Sequence, residues 1–314
     1  MRYWTLAAVS SFSAFALFAV AGSLAARLGA RVFLPRSARL GAATRARILF
    51  RLRMLPGPGA MAAGFGVALP IFLWFEDAGT TEPVSRTLAT IASAGAVLLA
   101  AGLWRAAAAW RSTALVLADW RRRARRIDLL GTTLPAYAVE DPFPIVAVVG
   151  VLRPRLFVAE RVLRECAPDE VAAMVAHECA HVSARDNFRR LLLRACPGVF
   201  GVARLDRVWS AAAEEAADAR AAGLDPAARL SLAEALIHVA RLAVPQAPPL
   251  ASAFYLGGSI DDRVRRLVEP VEDAAASRWS RLVAFAALAV FVAAIVAAAP
   301  VVHEMMEQAV RLLP

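Results

Sequence analysis

Long uncharged apolar runs alternate with arginine-dense stretches along the chain. The runs are Trp4–Ala26, Met54–Phe75, Thr87–Trp104 and Leu282–Val302, and the third extends past Arg105 through Ala106–Trp110. Each is close to the roughly 20 residues that cross a bilayer as a helix. The second opens on Pro56, Gly57, Pro58 and Gly59, with Gly64 further in, which a spanning helix tolerates when its neighbours satisfy the backbone. Between the third and fourth runs the pattern becomes that of a globular domain. Residues 111–126 read as an Arg-rich helix at the membrane surface. Leu134–Val139 alternates as a strand does. Ile145–Val149 and Leu156–Ala159, joined by the turn-rich 150–155, read as a hairpin. Helices are predicted at about 160–166, 169–183, 187–195, 205–222, 226–242 and 260–267, with a proline-marked loop at 245–249 and a turn or short strand at 253–258.

The pattern therefore predicts an α-rich membrane protein. Residues 1–110 hold three transmembrane helices (about 4–26, 54–75 and 87–110) with a basic cytoplasmic loop at 27–53. Residues 111–280 form a cytoplasmic α+β domain, and 281–314 a fourth transmembrane helix with a short external tail. Composition agrees: the chain is 59% hydrophobic with a mean hydropathy of +0.54.

The net charge of +10 comes from arginine alone, since the chain contains no lysine. Arg27, Arg31, Arg36, Arg39, Arg45, Arg47, Arg51 and Arg53 lie between the first two spans, and Arg121–Arg123, Arg125 and Arg126 follow the third. The loop between the second and third spans carries Glu76, Asp77 and Glu82 against Arg86. The positive-inside rule then puts both termini outside and the 111–280 domain in the cytoplasm. The charge reads as topology and contact with the lipid bilayer; no nucleic-acid module accompanies it, so direct nucleic-acid binding is not expected. The arginine block right after the first span argues for a retained helix rather than a cleaved leader. Cys166, Cys179 and Cys196 are odd in number and fall in the cytoplasmic part, which predicts no disulfide framework.

The chemistry concentrates at His177-Glu178-Cys179-Ala180-His181. On a helix, His177 and His181 share one face a turn apart and can reach one ion. Zinc takes neutral imidazole and, in a catalytic site, three protein ligands plus an open position. Glu178 is placed as general base for an activated water. A third ligand is expected from the Ala-rich helix around Ala213-Glu214-Glu215-Ala216-Ala217-Asp218, whose small residues allow close approach. Glu214 is assigned as ligand, with Glu215 as the competing choice. Asp218, one turn on, and Asp186, five residues after His181, are candidates to orient the histidines by hydrogen bonds. Cys179 points off the ligand face and reads as a small core residue. His238 and Tyr255 are further candidates for stabilising a transition state, though a structural role is the stronger reading of each. His303 lies beyond the fourth run and is set aside.

The segment Val175–Asn187, the downstream Glu214-x-x-x-Asp218 and the hairpin carrying Arg153-Pro154-Arg155 resemble the BlaR/MecR-type integral membrane zinc metallopeptidases, as does the layout of spans. The resemblance covers about 111–225 well and the rest by topology. It implies a zincin-like (gluzincin) domain at the cytoplasmic face of a bacterial inner membrane, with zinc on His177, His181 and Glu214 and Glu178 as base. It also implies cleavage of a protein substrate, often a transcriptional repressor. The sensor domain of the best-known members acylates through a Ser-x-x-Lys serine, for which this chain offers no lysine. The antibiotic-receptor role is therefore not carried over, and a separate sensor protein or constitutive action takes its place. Two alternatives stand beside regulatory proteolysis. One is an HtpX-like quality-control protease, with a similar motif pair. The other is a non-catalytic scaffold with structural zinc. The substrate, the trigger and the oligomeric state are not encoded in any motif.

Overall fold

The computed structural model describes residues 2–37, 40–77, 83–199, 202–243 and 260–269. The expected fourth span, the external tail, the loop at 245–249, the segment 253–258 with Tyr255, and His303 lie outside the described residues.

Helix α1 runs Arg2–Ser37 and α2 Ala42–Met54. The chain continues without an extended break through α3 (Pro56–Met61), a π-helical turn at Ala62–Ala68 and α4 (Leu69–Phe75). Then α5 spans Arg86–Arg123. Tyr3–Pro35, Ala42–Phe75 and Arg86–Arg123 are each long and apolar enough to cross a membrane.

Two expectations change here. The basic 27–53 segment is almost wholly helical: arginine, alanine and leucine are strong helix formers, so its dense positive charge does not unwind the chain. The Arg-rich segment after 110 is the end of α5, with no break at the expected domain boundary. Nothing in 105–123 stops a helix, and Arg105 settles its charge by donating to the Arg194 carbonyl. At the start of α5 the Ser85 hydroxyl accepts from the Leu88 N–H, a regular N-cap.

The spans pack through glycine. A Cβ on Gly95 would lie 2.2 Å from the Phe12 carbonyl oxygen of α1, and one on Gly64 2.6 Å from that of Ser11, so backbones touch where side chains would hold them apart.

A small mixed sheet follows α5: β1 (Arg125–Ile127), β2 (Ala136–Val139), β3 (Val146–Val149) and β4 (Arg155–Ala159), in the order β1-β2-β4-β3. β2 and β4 are parallel, and the outer strands are antiparallel to their neighbours. The predicted β3–β4 hairpin forms, with Val148 opposite Leu156. The arginine-rich β1 carries no apolar alternation and was not expected as a strand. Trp120 of α5 lies against Phe157 of β4, their ring centroids 5.2 Å apart, so the sheet is anchored to the helix that leads into it. The remaining helices are α6 (Glu160–Glu165), α7 (Pro168–Ala184), α8 (Asp186–Ala195), α9 (Val202–Ala222), α10 (Pro226–Leu242) and α11 (Ile260–Val268).

Among the described residues three apolar clusters hold this part together, one of them joining Ala222 of α9, Leu232 and Ala233 of α10 and Leu267 of α11; the other two position the site. The first packs β4 and α6 against α7 through Leu156, Val158, Val162, Val171 and Val175. The second joins the membrane-length helices to the globular helices: Ala26, Ala30, Ala46 and Leu49 meet Leu193, Leu205, Trp209, Ala212 and Ala213. Within that seam Arg53 is buried, its Nε donating to Asp206 and its Nη2 to the carbonyls of Leu193 and Cys196.

Replacing Gly95 by alanine is expected to cost about 1–3 kcal/mol, as overpacking does, seen as a lower midpoint of thermal unfolding in detergent. Gly66→Ala, where a Cβ meets nothing within 4 Å, serves as the control and should leave that midpoint nearly unchanged.

Candidate metal centre

α7 begins at Pro168, a residue suited to the first helical turn, with Asp169 and Glu170 complementing the helix dipole. It ends at Arg185, which adopts a left-handed conformation (φ 56°) and starts α8 immediately. That tight reversal carries Asp186 back beneath the last turn of α7. On the other side α9 packs on α7, with small buried residues at Ala216 and Ala217 between Glu214 and Asp218.

These elements bring His177, His181 and Glu214 together, one donor atom from each lying within 4.8 Å of the others. The His177 Nε2 and His181 Nε2 atoms are 3.1 Å apart, and Glu214 Oε2 is 3.4 Å from the first and 3.5 Å from the second. A tetrahedral zinc with bonds of 2.0–2.1 Å needs donor atoms about 3.4 Å apart. The spacing, the two imidazoles and the carboxylate therefore fit zinc. The other ring nitrogens face acids: His181 Nδ1 is 2.9 Å from Asp186 Oδ2, and His177 Nδ1 is 2.9 Å from Asp218 Oδ1, the latter pair out of line for a good hydrogen bond. Carboxylates in these places hold each imidazole with Nε2 turned to the shared point. Glu215, the competing ligand, turns instead to Arg45 and Arg266.

The Glu178 carboxylate accepts from the Val148 N–H at 2.9 Å. Asn187 Nδ2 donates to the carbonyls of Val148 and Gly150 at 3.1 and 3.0 Å. β3 is the edge strand of the sheet. Since the Ile145 carbonyl accepts from Ala159, the alternation of an antiparallel ladder turns Val146 and Val148 outward, toward the α7 side. The outer edge of β3 thus runs beside α7, with both outward groups of Val148 taken up by Glu178 and Asn187.

Arginines that the sequence pattern did not single out complete the site. Arg263 of α11 makes a paired contact with Asp218 (Nε to Oδ2 2.8 Å, Nη2 to Oδ1 2.7 Å), and its Nη1 is 3.8 Å from Glu214. Arg190 of α8 donates to Glu214 Oε1 at 3.0 Å, and Arg220 of α9 donates to the Ala180 carbonyl of α7. Arg263 lies 45 residues from Asp218 in sequence, and only packing of α11 on α9 reveals it. His238 stands elsewhere, its Nδ1 3.0 Å from Glu170 Oε2, and Glu170 precedes His177 by about 10 Å of helix rise.

Burial opposes the charge on both histidines, but the nearby carboxylates of Asp218 and Glu214 outweigh it and raise His177, and those of Asp186 and Glu214 raise His181 to about 9. Burial likewise works against the Glu214 charge, and the two histidines overcome it, holding the carboxyl well below its ordinary range. Asp218 is lowered too, against burial, by Arg263 and then His177.

Elemental analysis of purified protein is expected to show one fewer zinc per chain in His177→Ala and in Glu214→Ala than in the parent, and no loss in Glu215→Ala. Asp218→Ala should weaken zinc binding about 10–100-fold. In the metal-free protein, His181 is raised from 6.5 to about 9, so its stabilising contribution is complete below 6.5 and is lost as pH rises through 9. The thermal midpoint of metal-free protein should fall over that interval. Zinc-loaded protein should not follow, because protons compete less for the ligands as pH rises; identical profiles with and without zinc would contradict this.

Neither a curated protein nor a solved structure matches the chain significantly. Residues 121–251 match the model of Peptidase family M48, a stretch holding the sheet, α7 and α9. Together with three apolar helices of membrane-crossing length, that match supports a membrane-associated metallopeptidase.

Proposed function

We propose that the protein is a membrane-embedded zinc endopeptidase that hydrolyses protein substrates at the cytoplasmic face, in regulatory proteolysis of the kind the BlaR/MecR-type resemblance implies. The observation that carries this reading is the convergence of His177, His181 and Glu214 at 3.1–3.5 Å beside an outward-facing strand edge.

His177, His181 and Glu214 would hold zinc, which when bound supplies a Lewis acid and acidifies water to a pKa of about 7. Glu178, next in sequence to His177, takes the proton of the attacking water and returns it to the leaving amine. The outer edge of β3 offers main-chain hydrogen bonds to an extended peptide, which would lie across the site as an added strand. The Val148 N–H is held by Glu178 and its carbonyl by Asn187, so a peptide pairing at Val148 would displace both side chains and free the Glu178 carboxylate for proton transfer. Asp186, Asp218 and Arg263 keep the imidazoles and Glu214 in place and exclude other partners.

Glu178→Gln is expected to retain zinc and to lose about 10²–10⁴-fold of the cleavage rate on an unfolded protein substrate; full activity in this variant would overturn the mechanism. Reporter fusions test the topology, with the 111–280 domain inside. Specificity separates the regulatory reading from HtpX-like quality control: a regulatory protease cuts one folded partner at one position, whereas a quality-control protease degrades misfolded membrane proteins at many.

A further inference from the structure

A second group of metal-type side chains lies at the other end of α7 and takes no part in the chemistry above. Cys166 closes α6, Glu170 sits in the first turn of α7, and His238 comes from α10. One donor atom from each lies within 4.8 Å of the others. Glu170 Oε2 already caps the helix by accepting from the Ala167 N–H at 2.8 Å, and both its oxygens lie within 3.3 Å of His238 Nδ1. The Cys166 thiol is only 8% exposed and has no hydrogen-bond partner among the described residues; it belongs to the apolar cluster of β4, α6 and α7 and also lies within reach of Glu170 and His238.

We propose that Cys166, Glu170 and His238 form a second metal site, separate from the His177–His181–Glu214 centre, for a thiophilic divalent ion of the zinc class. Thiolate and imidazole together select zinc-like ions over the hard cations that carboxylates alone attract. With the thiol proton given up to solvent, the thiolate and Glu170 carry two negative charges and balance a divalent ion. Both of those groups are buried, while the His238 side chain is 35% exposed, so an ion enters on the histidine side and completes its shell with water there. Three segments far apart in sequence would be fastened by one ion: the α6–α7 junction, the first turn of α7 and α10. The site thus acts on the start of the helix that carries His177, without contact to the catalytic ligands.

The donor sets give the test. The His177 centre contains no sulfur, so a near-ultraviolet thiolate-to-cobalt absorption in full-length, detergent-solubilised, cobalt-loaded protein reports Cys166 alone. We expect two cobalt ions per chain. His177→Ala should lose one and keep the thiolate absorption. Cys166→Ser should lose the absorption and keep the other ion. His238→Ala, at a half-exposed position that the fold tolerates, should weaken the thiolate site at least about tenfold. Absence of the absorption in folded His177→Ala protein, or its persistence in Cys166→Ser, would overturn the proposal. Failure of the peptidase reading looks different: the sulfur-free ion would be missing while the thiolate absorption remained.

Discussion

Glu214 keeps its charge where little water reaches it, and much of the domain is arranged around that requirement. An ionised carboxylate cut off from water costs several kcal/mol unless partners replace the lost hydration. Here they come from three other helices: His177 and His181 from α7, Arg190 from α8 and Arg263 from α11. None can deliver its group unless the helices meet within side-chain reach, so the buried charge fixes their convergence. Glu214, Asp218 and Asp186 are matched by Arg190, Arg263 and Arg189, leaving the two imidazoles to carry any surplus. Without metal both imidazoles are raised toward the charged form. Zinc held by these residues would need both imidazoles neutral, so its binding would release protons there.

The same helices also answer to the membrane side. α2 contributes Ala46 and Leu49 to the cluster that buries Trp209 and Ala213, the residue before Glu214. Arg45 of α2 pairs with Glu215, the residue after it. The register of α9 is thus gripped on both sides of its ligand by a helix continuous with a candidate span. Buried Arg53 adds a polar lock at the junction, satisfying the last carbonyls of α8 and Asp206 of α9 together.

The parts of the site that are local in sequence were legible there. The i, i+4 spacing of His177 and His181 specifies a shared face, and the alanines around Glu214 announce a helix able to come close. The β-rich 145–149 and 156–159 segments, with the turn between them, specify the hairpin whose edge flanks the site. What stayed hidden depends on packing between distant segments. Arg263 is one of many arginines until α11 lies on α9, and Cys166 and Glu170 gain their meaning only when α10 brings His238 across. Charge misled in two places: it made the 27–53 helices read as a loop and the strand β1 read as part of a surface helix. The choice between Glu214 and Glu215 was open in sequence, because adjacent helical positions differ by about 100° in direction and only the neighbours reveal which faces inward.

The uninterrupted α5 has a mechanical consequence. Its 38 residues make a rod about 57 Å long, with no proline to hinge it, whereas the hydrocarbon core of a bilayer is about 30 Å thick. Placed across a bilayer, the rod would leave nearly half of its length beyond the lipid, and one residue after its end the chain enters the sheet whose far strand is β3. A change in inclination of about 10°, well within the range that membrane thickness imposes on spanning helices, sweeps the projecting end through about 5 Å. That is the spacing between neighbouring strands. Gly102 and Arg105 of the same rod touch Ala195 and Arg194 at the end of α8, and Trp120 touches Phe157 of the sheet, so such a tilt would carry the sheet and α8 together with the rod.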